Sequence, residues 1–190
     1  MKLFRKDMIA WILIILFVAI LFIIYEQKND RYVKLDKNQP ETKQLDPVVA
    51  KKTRQLVQMA ARNGINVVIT DKVRTKKEQN QLYAQGRTTG GNIVTYAKGG
   101  ESYHNYGLAV DYALKNDNGE IIWDTNYDGN NNGQADWFEV ADMAKKLGFE
   151  WGGDWRNPDY PHLQMDFGLS IRQLQNGLRP KHRDKKNQTG

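Results

Sequence analysis

Two short segments of the chain contain residue types that bind metal ions. The first, S102-Y-H-N-Y-G-L-A-V-D111, contains His104 and Asp111, and the second, D159-Y-P-H162, contains Asp159 and His162. Two imidazoles and one carboxylate are a ligand set for Zn²⁺ that leaves a fourth position open for water, which is typical of catalytic rather than structural zinc. The remaining carboxylate, Asp159, would then be available as a general base for that water.

The spacing of these residues is not a specific signature by itself. H-x₆-D is much less specific than the helical motif H-E-x-x-H, and a single histidine is more often an ordinary surface or core residue. His182 lies in a charged tail, where the surface role is favoured. The N-Y-G turn after His104 would let it face Asp111, and Pro161 fixes the backbone before His162. From the residues alone, a zinc site and two ordinary histidines remain open as alternatives.

Local sequence signals predict the elements that would position these residues. Asp46 and Pro47 are typical of the start of a helix, and Thr75 with Glu78 forms a capping box for a second helix. Helices cluster early and strands late, which predicts an α+β fold with an antiparallel sheet and helices packed on one side. The expected elements are helices over 46–63, 75–86, 136–147 and 170–177, and strands over 65–70, 108–114, 120–124 and 162–167, with 108–114 and 120–124 forming a hairpin.

The N-terminal segment has the length and composition of a membrane-spanning helix. Residues 8–25 read MIAWILIILFVAILFIIY without a charge, and their helical length of about 27 Å approaches a hydrocarbon core of about 30 Å. No A-x-A-like cleavage site follows, which favours an uncleaved signal anchor over a removed signal peptide. Positive charges flank both sides and do not decide the orientation. The short preceding tail favours a single-pass protein with its folded domain outside the cell membrane.

These features divide the chain into five expected segments. They are a cytoplasmic tail over 1–7, a transmembrane signal anchor over 8–25, a polar stalk over 26–44, a folded domain over 45–178 and a basic, disordered tail over 179–190.

The composition excludes several classes of function. The chain has 190 residues, a formal net charge of +6 and no cysteine. The absence of cysteine excludes disulfides, thiolate zinc sites and a cysteine nucleophile. The positive charge is concentrated at the two ends, and no basic stripe is interleaved with stacking aromatics. We therefore expect an anionic membrane or cell-wall surface as a partner rather than nucleic acid.

A second segment has the pattern of a calcium-binding loop. Residues 128–139 read D-G-N-N-N-G-Q-A-D-W-F-E, which fits the EF-hand pattern D-x-[DN]-x-[DN]-G-x₅-E. The alternative is an asparagine- and glycine-rich turn in which Asp136 is the helix N-cap and Glu139 caps back. If the loop binds Ca²⁺, the expected side-chain ligands are Asp128, Asn130, Asn132, Asp136 and Glu139.

Several separated motifs resemble the LAS group of zinc metallopeptidases, which includes lysostaphin, D-Ala-D-Ala peptidases and hedgehog-like folds. These motifs are S-x-H-x-x-G-x-A-x-D over 102–111, W-G-G-D-W over 151–155 and D-x-P-H over 159–162. More narrowly, residues 45–178 are similar to the bacterial and phage peptidoglycan L-alanyl-D-glutamate endopeptidases. The aspartate of D-x-x-H, in place of the glutamate of E-x-x-H, is similar to that endopeptidase branch. One departure is T70-D-K-V-R74, where a small-residue turn is typical, and it affects the expected shape of the substrate rim.

The resemblance implies a role for individual residues. It implies one Zn²⁺ per domain held by His104, Asp111 and His162, with Asp159 as the catalytic base. It implies that Arg74 faces the substrate or the oxyanion. Trp151, Trp155 and Tyr160 would wall the cleft, with ordinary core and rim packing as the alternative. The expected substrate-contacting or ligand-supporting residues are Ser102, Trp151, Asp154, Trp155 and Tyr160.

The expected function is that of a monomeric, membrane-anchored zinc peptidase that cuts the peptidoglycan stem peptide between L-Ala and D-Glu. Two alternatives remain open. One is a D-Ala-D-Ala carboxypeptidase of the same fold, and the other is a zinc-containing cell-wall binding module without hydrolytic activity. An intact base at Asp159 argues against the binding module.

Overall fold

The chain forms two compact units in a computed structural model that describes residues 2–36 and 40–182. The smaller unit comprises Met1–Asn38 and Asn176–Gly190, and the larger comprises Gln39–Gln175. Residues 183–190 of the expected basic tail lie outside the described residues. In chain order the elements are α1 (Lys2–Asn29), β1 (Tyr32–Lys34), α2 (Pro47–Arg62), β2 (Asn66–Asp71), α3 (Lys76–Ala84), β3 (Ala109–Lys115), β4 (Ile121–Ile122), α4 (Asp136–Lys146), β5 (Glu150–Trp151), β6 (His162–Gln164), α5 (Ile171–Gln175) and β7 (Leu178–Pro180).

Helix α1 contains a stretch that is long and apolar enough to cross a membrane. This stretch is Met8–Glu26, with a mean hydropathy of 3.1, and none of it is buried against the rest of the protein. An apolar helix without a protein partner requires another apolar environment. A membrane anchor and a signal sequence both meet this description.

The smaller unit also contains a two-stranded ribbon. Strands β1 and β7 pair antiparallel, with Tyr32 opposite Pro180 and Lys34 opposite Leu178. Beyond the ribbon, the Leu35 amide donates to the Gly177 carbonyl at 2.8 Å. This ribbon was not predicted, because β1 lies in the expected stalk and β7 spans the boundary between the expected domain and the expected tail. Strands of three residues carry too little periodicity to be recognised.

The larger unit is built on an antiparallel sheet with the strand order β2–β3–β6–β5, and β4 pairs with β3 as a hairpin. Helix α2 packs against β2 and α4, and α4 packs against β5. Because α2 and α4 contact each other and both contact the sheet, they lie on the same face of the sheet. The α+β fold and the antiparallel sheet expected from the sequence are therefore confirmed.

The helix starts follow from local side-chain caps. Asp46 Oδ1 accepts from the Val48 amide at 2.9 Å, and Thr75 and Glu78 form the reciprocal capping box. These caps satisfy amides that have no partner inside the helix. Helix α4 begins at Asp136 as predicted, but the alternative in which Asp136 is the N-cap is not observed, because the N-cap residue is Ala135 and it makes no side-chain cap bond. The Asp136 carboxylate accepts instead from the Gly129 amide at 3.1 Å.

Several strands are shorter than the alternating pattern predicted. Strand β6 ends at Gln164 rather than at 167, and Phe167 has a φ of 52°, which is incompatible with a strand. Strand β4 covers only Ile121–Ile122 of the expected 120–124. Helix α5 covers five residues of the expected 170–177.

Strand β3 connects the core to the opposite face of the sheet. Tyr112 is fully buried, its ring centroid lies 4.9 Å from that of Trp137 on α4, and its hydroxyl donates to the Trp137 carbonyl at 3.2 Å. Because adjacent strand residues point to opposite faces, Asp111 projects away from the helices. The core packing of Tyr112 thereby fixes the direction of the Asp111 carboxylate.

Candidate active site

A short 3₁₀ turn over Tyr103–Tyr106 positions His104. Ser102 Oγ accepts from the His104 amide at 3.3 Å at the start of the turn, and Gly107 ends it with a φ of 70°. A Cβ on Gly107 would lie 2.5 Å from the Gln44 carbonyl oxygen. Both the left-handed conformation and the close approach therefore require glycine. The expected reversal between His104 and Asp111 is confirmed.

Sheet pairing brings Asp111 and His162 together. They are direct partners in the β3–β6 register, and the Tyr112 amide donates to the Pro161 carbonyl at 3.0 Å. Opposed residues of an antiparallel pair project to the same face with Cβ atoms about 5 Å apart. The register thus accounts for a contact between residues 51 positions apart in the sequence.

The turn from Asp159 to His162 rests on Gly152. The Asp159 amide donates to the Gly152 carbonyl at 2.9 Å, and the His162 amide donates to the Asp159 carbonyl at 3.1 Å. A Cβ on Gly152 would lie 2.5 Å from the Asp159 carbonyl oxygen and 3.1 Å from the Cβ atoms of Asp159 and His162. Trp151 Nε1 donates to the Tyr160 carbonyl at 2.8 Å and braces the same turn.

Three donor atoms form a nearly equilateral triangle. His104 Nε2, Asp111 Oδ1 and His162 Nδ1 lie 3.2 Å from one another. A tetrahedral zinc site with bonds of about 2.0–2.1 Å has ligand atoms roughly 3.3 Å apart. The donor set and its spacing therefore fit a zinc ion with one face open to the cleft.

Hydrogen bonds to the outer ring nitrogens orient both imidazoles. His104 Nδ1 lies 2.6 Å from the Lys72 carbonyl oxygen, and His162 Nε2 lies 3.0 Å from Gln164 Oε1. Because a carbonyl oxygen only accepts, the neutral form of each imidazole keeps its proton on the outer nitrogen, which leaves the lone pair of the inner nitrogen for a metal. Gln164 is held in turn by Glu150, whose Oε2 accepts from Gln164 Nε2 at 2.9 Å. Such partners fix the tautomer and the orientation of metal-binding histidines.

Burial and hydrogen bonding set the protonation of the site. Burial alone would raise the pKa of Asp111, but hydrogen bonds from the protonated forms of His104 and His162 hold that pKa well below its usual range. Burial would likewise lower the pKa of His162, and its contact with Asp111 instead raises it. Asp111 is therefore a carboxylate, which is the form that binds a metal.

Asp159 lies beside the triangle in the same cleft of about 510 Å³. Its side chain is exposed to the cleft, yet the surrounding protein walls desolvate it and raise its pKa above the ordinary value. The positive charge of His162 offsets part of this effect, whereas Asp111 reinforces it. A carboxyl group with a raised pKa holds a proton more readily at a given pH.

Arg74 also lines the cleft, and neighbouring side chains fix its guanidinium group. Its Nε and Nη2 donate to Asp71 Oδ2, its Nη1 donates to Gln79 Oε1 at 2.7 Å, and its Nη2 lies 3.5 Å from Asp111 Oδ2. Gln79 is fully buried and donates to the Ala97 carbonyl at 2.8 Å. Arg74 is therefore a fixed positive charge beside the second oxygen of Asp111.

The structure brings most of the expected site residues together, but not all. Ser102 and Trp155 line the cleft, and the Trp155 ring lies 5.1 Å from the His162 ring. Trp151 is buried and supports the 159–162 turn rather than lining the cleft. Tyr160 packs on Trp151, and Asp154 pairs with Lys145 at 2.8 Å.

Sequence reasoning missed the residues that hold the site from outside. Gln164 lies two positions after His162 on the same strand face, a spacing that offered a signal. Asp71 lies three positions before Arg74, but the bulge in the β2–β3 pairing is what sets it across from Asp111. Glu150 and the Lys72 carbonyl gave no signal, because they depend on tertiary contacts.

Comparison with known proteins identifies the family. The sequence model of a family described as D-alanyl-D-alanine carboxypeptidase matches residues 95–165, which include the donor triangle and Asp159. The peptidoglycan L-alanyl-D-glutamate endopeptidase CwlK of Bacillus subtilis (strain 168) is 54% identical over 155 residues, which are 81% of this chain and 93% of that protein. The chain belongs to this peptidase family. The resemblance and the enzyme class inferred from the motifs are thereby confirmed.

Two further proteins are similar to this member of the D-alanyl-D-alanine carboxypeptidase family. The L-alanyl-D-glutamate peptidase of Listeria phage A118 is 33% identical over 115 residues, which cover 60% of this chain and 35% of the phage protein. The crystal structure of the L-Ala D-Glu endopeptidase ChiX of Serratia marcescens has a TM-score of 0.45 at 21% identity, and the match covers 65% of this chain and 81% of that one.

Proposed function

We propose that this family member is a zinc-dependent endopeptidase that cuts the peptidoglycan stem peptide between L-Ala and D-Glu. The observation that carries the chemistry is the triangle of His104, Asp111 and His162 with Asp159 beside it in one cleft. The substrate is inferred from the relative that is 54% identical, whose name states that activity. The aspartate at position 159, where a glutamate would stand in E-x-x-H, also supports the L-alanyl-D-glutamate endopeptidase branch.

The three donors are proposed to hold one Zn²⁺. Bound there, Zn²⁺ would supply a Lewis acid that polarises water and the scissile carbonyl group. His104 and His162 each keep an inner lone pair available because their outer nitrogens donate to Lys72 and Gln164. Arg74 stabilises Asp111 as a carboxylate through its second oxygen.

Asp159 is proposed to move the proton in both halves of the reaction. As a carboxylate it accepts a proton from the attacking water while the C–O bond forms at the L-Ala carbonyl carbon. It then donates that proton to the amine of D-Glu as the C–N bond breaks, which returns Asp159 to its starting form. A raised pKa favours the second half, because the protonated acid is more accessible near neutral pH.

Arg74 is proposed to face the negative charge that develops on the carbonyl oxygen. Its guanidinium is already fixed by Asp71 and Gln79. No reorganisation is therefore needed when that charge forms, which is how preorganised donors lower a barrier.

The N-terminal helix is proposed to anchor the enzyme in the cell membrane with the peptidase unit on the outer side. The helix supports a membrane location by its length and hydropathy. The outward orientation is inferred from the substrate, because peptidoglycan lies outside the membrane.

The test is mass spectrometry of disaccharide-linked stem peptide incubated with the full-length protein in detergent micelles. We expect a product split after L-Ala, its loss on adding a zinc chelator and its return on adding Zn²⁺. Loss of a terminal D-Ala instead would identify a D-Ala-D-Ala carboxypeptidase, the alternative that the family description favours. Binding to cell wall without any cleavage would identify a binding module and refute the proposed reaction.

A further inference from the structure

The loop over residues 128–139 wraps around its first side chain. The carboxylate of Asp128 accepts from the amides of Asn132 at 3.1 Å and Gly133 at 2.9 Å. Gly133 has a φ of 86°. An EF-hand loop has this construction, with an acidic residue at position one and a sharply turning glycine at position six. The asparagine-rich segment therefore adopts the shape as well as the sequence pattern of a calcium loop.

The last position of the pattern closes over the loop. Glu139 Oε1 accepts from Asn132 Nδ2 at 2.9 Å, and Glu139 Oε2 accepts from Asn130 Nδ2 at 3.1 Å. Both oxygens of this residue thus face positions three and five, as required of a bidentate ligand at position twelve. Rotation of the two amide groups would turn their carbonyl oxygens toward Glu139, in exchange for the bonds that these oxygens accept from the Asn132 and Gln134 amides.

A buried carboxylate oxygen in this loop has no partner. Asp136, at position nine, is 2% exposed, and within residues 2–36 and 40–182 its Oδ1 has no hydrogen-bond partner. Its other oxygen binds the Gly129 amide, so the group lies against the loop backbone. A buried, unpaired carboxylate oxygen is costly unless a cation or donor reaches it.

The charge around Asp136 is also uncompensated. Asp136 shares the loop with the carboxylates of Asp128 and Glu139, and the hydrogen bonds that these three groups accept within the loop come from uncharged amides. In the described part of the chain, no lysine or arginine forms an ion pair with any of these three carboxylates. Three carboxylates that repel one another around amide oxygens form a site for a hard divalent cation.

We propose that residues 128–139 bind one Ca²⁺ through Asp128, Asn130, Asn132, Asp136, Glu139 and the carbonyl of Gln134. Only three of the ligands are charged, so we expect a dissociation constant of about 10⁻⁴–10⁻³ M, the range of weak extracellular calcium modules. This site is separate from the donor triangle and does not depend on the proposed reaction.

The calcium loop is connected to the cleft through the first turn of α4. Asp136 and Glu139 flank Phe138, whose ring lies edge-on to Trp151 at 5.7 Å and to Tyr160 at 6.4 Å. Tyr160 belongs to the turn that contains Asp159 and His162. Ca²⁺ held by Asp136 and Glu139 would fix the first turn of α4 on both sides of Phe138 in the sequence. The Phe138 ring would then be restrained, and with it the 159–162 turn.

Calorimetric titration of CaCl₂ into the zinc-loaded full-length protein in micelles tests the site. We expect one binding event in wild type and at least ten-fold weaker binding in Glu139→Gln. Asp142→Asn makes the same charge change on an exposed position of α4 and should bind as wild type does. Asn132→Ala removes only an amide ligand and should also weaken binding, with melting curves in calcium-free buffer showing that each variant is folded. Absence of binding heat in wild type up to 10 mM Ca²⁺, roughly ten times the weakest expected constant, would overturn the site.

Amide hydrogen exchange tests the connection without measuring activity. We expect Ca²⁺ to slow exchange of the His162 amide in wild type and to have little effect on it in Phe138→Ala. Calcium binding with unchanged exchange in wild type would overturn the connection while leaving the site.

Discussion

Asp159 has a pKa above the ordinary aspartate value because the walls of the cleft desolvate its carboxyl group. Electrostatic interactions with His162, His104 and Arg74 limit that rise. Because the net shift is upward, Asp159 holds a proton more readily than an ordinary aspartate at the same pH. Its proposed role as the base therefore has a measurable consequence in both rate and pH dependence.

Replacing Asp159 with asparagine should lower kcat for stem-peptide cleavage by about 10²–10⁴-fold, the usual contribution of a positioned general base. The donor triangle is untouched, so the zinc content measured by mass spectrometry should stay at the wild-type level. Asp117→Asn, an exposed change of the same type in the turn before β4, serves as the control. Cleavage by Asp159→Asn at the wild-type rate would refute the mechanism.

The pH profile of kcat should have an acidic limb set by Asp159. Only the carboxylate can accept the proton, and a raised pKa means that protonation begins at a higher pH. Activity at saturating zinc should therefore fall as the pH decreases through a value above 3.8, the ordinary aspartate pKa. The residual rate of Asp159→Asn should lack this limb. A wild-type limb at or below the ordinary value would show that desolvation by the cleft does not dominate the pKa of Asp159 in the zinc-loaded enzyme.

At the scale of elements, the 159–162 turn depends on its contact with Gly152. The turn carries both Asp159 and His162, and its backbone packs against Gly152 so closely that no Cβ can be accommodated. A side chain there must displace backbone atoms rather than a flexible side chain. This contact makes Gly152 a positioning residue for two of the site's functional groups.

Gly152→Ala should lower kcat/KM by about 10²-fold, because a displacement of about 1 Å at a catalytic group costs that much. Zinc affinity should fall as well, since His162 moves with the turn. Gly90→Ala is the matched control, because a Cβ at Gly90 meets no atom within 4 Å. Equal activity of the two variants would show that the turn adjusts freely.

Local signals predicted the elements whose causes are local. The caps at Asp46 and Thr75 depend on neighbouring residues, and the structure has them where the sequence predicted. Strand β5 and the β1–β7 ribbon were missed, because two or three residues carry no period and their partners are distant. The donor triangle was predicted from sequence motifs. Glu150 could not be predicted in the same way, because only the β5–β6 register places it beside Gln164.

At the scale of the whole molecule, α1 should determine where the protein resides. Phe17 lies near the middle of Met8–Glu26 and is exposed. Phe17→Arg places a charge at the proposed bilayer centre, at a cost of about 2.5–3.5 kcal/mol on insertion scales. We expect a reduced fraction of this variant in carbonate-washed membranes, with Phe17→Leu as the control. Full membrane retention of the arginine variant would argue against a spanning helix.

The ribbon of β1 and β7 gives the peptidase unit an unusual connectivity. The chain leaves the ribbon after Lys34 and returns to it at Leu178, and these two residues are paired neighbours. Closely spaced ends are the property that allows a domain to be inserted into a host protein. The segment between them therefore begins and ends at two adjacent strand positions. We expect that it can be inserted into a surface hairpin of an unrelated protein, whose two strands would take the places of β1 and β7.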